Sequence, residues 1–230
     1  MSFQKDLFSP KPLLFLDNVT RSFTFPQVTN VLSEVTLEVV PGECVALVGA
    51  SGEGKSTLLH LAAGLDLPTT GKVYVKGSEV TKENAPLLRQ KHIGFVYQAF
   101  HLIEDLSLID NVTLPLKISG NFDPIASIQA AKKLLSNVGL LHRIHYPIRL
   151  LSGGEKQRAA VARALITDPC LILADEPTGN LDKKSSEEVF ELILSSRSDQ
   201  RAVVVATHSE ALANRCDRIF DLSKLKPVCS

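Results

Sequence analysis

The apolar positions change period along the chain, and each period predicts a different element. Near the N-terminus, β-rich stretches at Leu13 to Leu16 and Val35 to Val40 are punctuated by turn-forming Pro26, Asn30 and Pro41-Gly42, which predicts an antiparallel β layer. Cys44 to Val48 is instead continuously apolar, the pattern of a strand covered on both faces in a parallel sheet. Leu171 to Ala174 and Ala202 to Ala206 repeat that pattern with helical segments between them, so βαβ units are expected. Asp123-Pro124 places a capping residue before a proline at the first helical position. Ile128, Ala131, Leu134, Leu135 and Val138 then recur at helical spacing until Gly139 stops the helix. The expectation is an α/β fold in one domain over 1–230, with the core and β layer at about 1–98 and 165–230 and a helical subdomain inserted at about 99–164.

Composition narrows the function. At 230 residues and 44% hydrophobic content the chain can bury a real core, which excludes disorder. Its 25 basic and 25 acidic residues give a formal net charge of +0, so a nucleic-acid binder relying on bulk charge is disfavoured. No apolar run approaches the roughly 18 residues of a membrane span, and direct membrane insertion is not expected. Met1 to Pro10 lacks the charged, apolar and small-residue blocks of a signal peptide, so the chain is expected to stay in the cytosol. Cys44, Cys170, Cys216 and Cys229 include no Cys-x-x-Cys pair. They read as neither a disulfide framework nor a zinc site, with Cys44 and Cys170 as small core hydrophobes.

The chemistry begins at Gly49-Ala50-Ser51-Gly52-Glu53-Gly54-Lys55-Ser56, which matches Gly-x-x-x-x-Gly-Lys-[Ser/Thr] between the Cys44 strand and a helix predicted over Thr57 to Leu65, stopping at Gly64. Glycines let the backbone turn successive N–H groups toward phosphate oxygens, and the helix N-terminus adds its positive dipole end. Lys55 neutralises β/γ-phosphate charge, Ser56 offers a hydroxyl to Mg²⁺, and Thr57 adds a polar group at the helix start. Glu53 is out of place beside phosphate unless its carboxylate turns outward to solvent or a partner subunit. Leu171 to Ala174 ends in Asp175 and Glu176, whose side chains diverge: Asp175 suits the metal, leaving Glu176 to take a proton from attacking water. Leu151-Ser152-Gly153-Gly154-Glu155 then opens a helix with a capping box between Ser152 and Glu155. A capped helix does not by itself require the two glycines, which leave backbone N–H groups uncovered as a second anion site.

These three motifs in this order resemble the ATPase subunit of ABC transporters over essentially the whole chain. The resemblance implies a P-loop NTPase core and a head-to-tail dimer of two copies sandwiching two ATP–Mg²⁺, each copy's Leu151–Glu155 element facing the other's γ-phosphate. It implies Gln98, at the end of a strand from Ile93 to Tyr97, as a ligand to Mg²⁺ and water bordering a permease-docking groove. It implies Asp182 as a contact to the opposing phosphate loop, His208 as the γ-phosphate switch, and Phe23 as the ring stacking on adenine. Phe23 stands where tyrosine is usual, with Phe25 as a competitor; Ser209 stands where aspartate is frequent, and Glu53 replaces a small residue. Gly64-Leu-Asp66, Asp175 to Asp182 and Ala-Phe-His-Leu-Ile after Gln98 most resemble the subfamily that drives lipoprotein release and MacB-type export, with FtsE-type division ATPases close by. Integral membrane permease subunits are thus implied as partners, and a peripheral place on the cytoplasmic face of the inner membrane. A GTPase would need Asn-Lys-x-Asp, which is missing, and a nucleoside monophosphate kinase or recombinase-type motor has no use for Leu-Ser-Gly-Gly-Glu. Soluble ABC ATPases of DNA repair or translation usually carry tandem cassettes or long coiled-coil insertions, and a scaffolding pseudoenzyme would be expected to lose Lys55 or Glu176.

Overall fold

A computed structural model of the chain describes residues 11–24 and 29–225; Phe25, Pro26, Cys229 and Met1–Pro10 lie outside the described residues. An antiparallel sheet in the order β2-β1-β4-β5 is built from β1 (Leu14–Phe23), β2 (Thr29–Val39), β4 (Thr70–Val75) and β5 (Ser78–Glu79). A parallel sheet in the order β6-β7-β8-β3-β9 is built from β3 (Cys44–Val48), β6 (Ile93–Val96), β7 (Leu171–Asp175), β8 (Ala202–Ala206) and β9 (Arg218–Asp221). The helices are α1 (Lys55–Ala62), α2 (Ala85–His92), α3 (Leu108–Ile118), α4 (Pro124–Asn137), α5 (Gly153–Leu165), α6 (Lys183–Ser195) and α7 (Glu210–Ala213).

The continuous apolar runs belong to strands buried on both faces, and the pleat divides their side chains. Val45, Leu47, Leu171, Leu173, Val204 and Ala206 pack into one core with α1 and the antiparallel sheet. Cys44, Ile172, Ala174, Val203 and Val205 face the opposite core, against Val161 of α5 and Val189, Phe190 and Ile193 of α6. Full burial of each such valine, leucine or isoleucine contributes roughly 1.5–3 kcal/mol, so no solvent-facing polar position interrupts the run. A third core joins Leu108 and Val112 of α3, Ala131 and Leu135 of α4, and Ala159 and Ala162 of α5. α5 therefore serves two cores, one from each side.

Local signals mostly place the ends. Asp123 caps α4 by accepting the Ala126 N–H at 2.6 Å, and Gly139 beyond it adopts φ 71°. Ser209 caps α7 through the Leu212 N–H at 3.4 Å. Three readings differ. Asn30 is no turn residue; it lies in β2, where its Oδ1 accepts the Ser22 hydroxyl at 2.7 Å across the ladder. The helix after the phosphate loop starts at Lys55 and ends at Ala62, because left-handed Gly54 (φ 94°) makes the turn and its carbonyl takes the Leu58 N–H at 2.8 Å. Ile128 remains exposed while Ala131 and Leu135 are fully buried, so the apolar stripe of α4 is narrower than its sequence.

Candidate functional site

The C-terminal tips of β3, β7 and β8 lie side by side, and the loops leaving them bring the candidate chemistry together. From β3 the chain enters Gly49–Gly54, with Gly49, Gly52 and Gly54 at φ 151°, 84° and 94°, a backbone that only glycine adopts without strain. At Gly54 there is also no room: an added Cβ would lie 2.8 Å from Leu32 Cδ2 and 3.1 Å from the Val31 carbonyl oxygen. Ser51 and Gly52 stand exposed at the rim, and Ser56 and Thr57 occupy the first turn of α1.

Lys55 is 8% exposed, and its Nζ donates to the carbonyls of Gly49 at 2.8 Å and Ala50 at 3.2 Å. The loop's own oxygens thus hold a nearly buried cation at its centre, which fits a site made for an anion. Glu53 does not turn outward. Its carboxylate folds back on the loop, Oε2 accepting the Ala50 N–H at 2.7 Å, which ties a loop amide to a side chain from the same loop.

At the tip of β7, Asp175 Oδ1 accepts the Ser56 hydroxyl at 3.0 Å, so two hard oxygen donors from different elements already meet. Glu176 follows in a left-handed conformation, φ 43°, costly for a non-glycine residue, with its N–H tied to the Ala206 carbonyl at 3.0 Å. That geometry points its carboxylate elsewhere: Oε1 lies 3.9 Å from Lys55 Nζ, and Oε2 lies 2.8 Å from Nδ1 of His208, beyond β8. The His208 side chain is 72% exposed, whereas that of Glu176 is 16%. Two polar groups therefore lie side by side, Ser56 with Asp175 and Lys55 with Glu176 and His208, made from residues adjacent in sequence on α1 and at the end of β7.

Gln98 sits just beyond β6, its Nε2 donating to Asn180 Oδ1 at 3.4 Å while Asn180 Nδ2 donates to the Gln98 carbonyl at 3.4 Å. Asp182 caps α6, accepting the Ser185 N–H at 3.0 Å and hydroxyl at 2.6 Å, and the Ser185 hydroxyl holds its carboxyl below the usual carboxylate range. Phe23, at the end of β1, is 40% exposed, and the Arg21 guanidinium stands 4.6 Å from its ring centre.

The capping box of α5 forms as expected: the Glu155 N–H reaches Ser152 Oγ at 3.3 Å and the Ser152 N–H reaches Glu155 Oε2 at 2.8 Å. Burial works to raise the Glu155 carboxyl, but the Ser152 hydrogen bonds and the Arg143 and Arg158 charges hold it below its ordinary value. The two glycines differ. Gly153 is exposed with room around it, whereas a Cβ on Gly154 would meet Ser185 Oγ at 2.7 Å, so close approach of α5 to α6 already requires that glycine. Leu151 is buried in the third core.

Two α5 residues given no role by sequence reasoning support the Gln98 loop. Gln157, fully buried, donates from Nε2 to the Tyr97 carbonyl at 3.0 Å. Arg163 donates to the carbonyls of Phe100, at 2.8 Å, and His101, both left-handed at φ 59° and 49°. A polar position on an otherwise apolar helix face was the one available signal.

A parallel sheet with a phosphate loop after β3 and a carboxylate pair at the tip of β7 defines a P-loop nucleotide hydrolase. The family model described as "ABC transporter" matches residues 32–179, and the chain belongs to that family. The lipoprotein-releasing system ATP-binding protein LolD of Coxiella burnetii is 44% identical over 93% of this chain and 94% of its own length. Its namesake in Colwellia psychrerythraea is 47% identical over 87% of this chain and 80% of that protein. Among solved structures, the ATP-binding cassette MJ0796, a dimer bound to ADP and Pi, superposes with a TM-score of 0.81 at 34% identity, covering 90% of this chain and 93% of that one. CbiO1 of Clostridium perfringens, part of the transporter complex cbiONQ, gives 0.79 at 25% identity, over 92% and 84%.

Proposed function

We propose that this chain is the ATP-hydrolysing subunit of a lipoprotein-releasing transporter, working as a head-to-tail pair of copies that drives integral membrane subunits from the cytoplasmic face of the inner membrane. The observation that carries the catalytic part is the pairing of Ser56 with Asp175 beside the pairing of Glu176 with Lys55 and His208 at adjacent strand tips. Ser56 and Asp175 fit Mg²⁺, since hydroxyl and carboxylate oxygens are the hard donors that ion takes, and Gln98 would add an amide oxygen. Bound there, the metal would supply neutralisation of phosphate charge.

The chain's own residues do the rest. Lys55 exchanges the Gly49 and Ala50 carbonyls for phosphate oxygens and offsets charge spreading over the transferring group. Glu176 takes the proton of the attacking water, and His208, donating from Nδ1 to Oε2, holds the carboxylate in place. Phe23 stacks on the base with its exposed face. Gly153 at the α5 start, together with Ser152, Gly154 and Glu155, faces the nucleotide of the other copy, and Asp182 faces that copy's phosphate loop. The groove between α2 and α3, with Leu87 and Ile118 50% and 74% exposed and Tyr97 and Arg163 at its floor, receives the membrane subunits.

The name of the relatives supports the choice of lipoprotein release. Co-purification of a tagged chain from detergent-solubilised membranes tests it. Recovery with subunits that extract lipoproteins from the bilayer is expected; recovery with a division-type or drug-exporting partner would overturn the assignment.

A further inference from the structure

The sulfur atoms of Cys44 and Cys216 lie 3.3 Å apart, although 172 positions separate them in sequence. Cys44 opens β3 and is fully buried, while Cys216 lies in the turn between α7 and β9 and is half-buried. The backbone around the pair is held without help from sulfur. The Asp217 N–H donates to the Cys44 carbonyl at 2.9 Å, and Asp217 Oδ2 accepts the Cys44 N–H at 2.7 Å and an Arg197 N–H at 2.7 Å. Just beyond, β3 and β9 continue as paired parallel strands. A disulfide of about 2.05 Å therefore asks the sulfurs to close by roughly 1.2 Å, a distance that side-chain torsions can supply.

We propose that Cys44 and Cys216 form a reversible dithiol–disulfide site whose oxidant is a small-molecule disulfide. The inference is independent of the ATPase reading. The hydrogen bond from Cys44 draws the Cys216 thiol below its ordinary pKa, while the same contact and burial push Cys44 well above it, so the more accessible sulfur reaches the thiolate first. That thiolate attacks one sulfur of the oxidant RSSR, giving a Cys216 mixed disulfide and RS⁻. Cys44 loses its proton to this RS⁻ and attacks the Cys216 sulfur, expelling the second RS⁻, which takes up the proton first lost by Cys216. Two thiols thereby lose two electrons and two protons, and RSSR becomes two RSH. Cys170 stands apart, its Sγ against the His92 carbonyl at 3.6 Å.

The test exposes the full chain, natively folded, to oxidised glutathione and follows it by intact mass, peptide mapping and thermal melting. Expected are loss of two hydrogens, one cross-link joining the Cys44 and Cys216 peptides, reversal by dithiothreitol, and a melting midpoint raised by at least about 5 °C because the bond closes a long loop. Cys216→Ser, at a half-buried position, should fold normally and show neither cross-link nor shift. A persistent glutathione adduct on Cys216, pairing of Cys216 with Cys170 or Cys229, or thiols left free would each overturn the proposal.

Discussion

Glu176 answers to three neighbours at once, and its left-handed backbone makes that possible: one carboxylate oxygen is directed toward Lys55, the other toward His208, and its amide is fixed on β8. Glu176→Gln keeps the shape and removes the proton acceptor, so nucleotide binding should persist while turnover falls on the order of 10²-fold or more in a steady-state phosphate-release assay. Lys55→Ala should act earlier. The loop then loses the one cation its carbonyls surround, and calorimetric titration with Mg-ATP should show weakened binding together with lost hydrolysis. Near-normal turnover in either variant would remove that residue from the mechanism. These residues were legible because their types recur in a fixed local order next to recognisable strands. Gln157 and Arg163 were not, since a sequence does not disclose which distant carbonyl a side chain on a helix will reach.

Among the elements, β3, β7 and β8 could be read because burial on both faces leaves an uninterrupted apolar run. β4 was missed: Thr70-Gly71-Lys72 opens it with no apolar residue, and Gly71 sits where an added Cβ would strike the Asn18 carbonyl oxygen. The same close-approach logic separates the two glycines at the head of α5. Gly153→Asp places a charge on an open surface and should abolish turnover while leaving nucleotide binding by the single chain intact; retained turnover would make this helix start merely structural. Gly154→Asp cannot isolate that effect, because its side chain would first collide with Ser185 of α6. In β6, Gly94→Ala should cost about 1–3 kcal/mol in urea unfolding, since its Cβ would drive into the Ala164 carbonyl of α5. An unchanged midpoint would mean that α5 can back away from the sheet without loss.

For the molecule as a whole, the proposed pairing of copies makes oligomeric state depend on nucleotide. Glu176→Gln with saturating ATP should accumulate as a dimer in size-exclusion chromatography with light scattering, while the unmodified chain without nucleotide should run as a monomer. A variant that stays monomeric as protein concentration is raised would refute the paired arrangement. The helix that would carry the contact to the second copy also reaches back to the loop beside the groove between α2 and α3. Along α5, Gly153 and Arg163 are about 15 Å apart at 1.5 Å per residue. Gln157 and Arg163 grip the backbone from Tyr97 to His101. A rod held to that backbone at Gln157 and again near its far end at Arg163 is expected to carry the groove floor with it when its outer tip tilts, so that a push at one end is felt at the other.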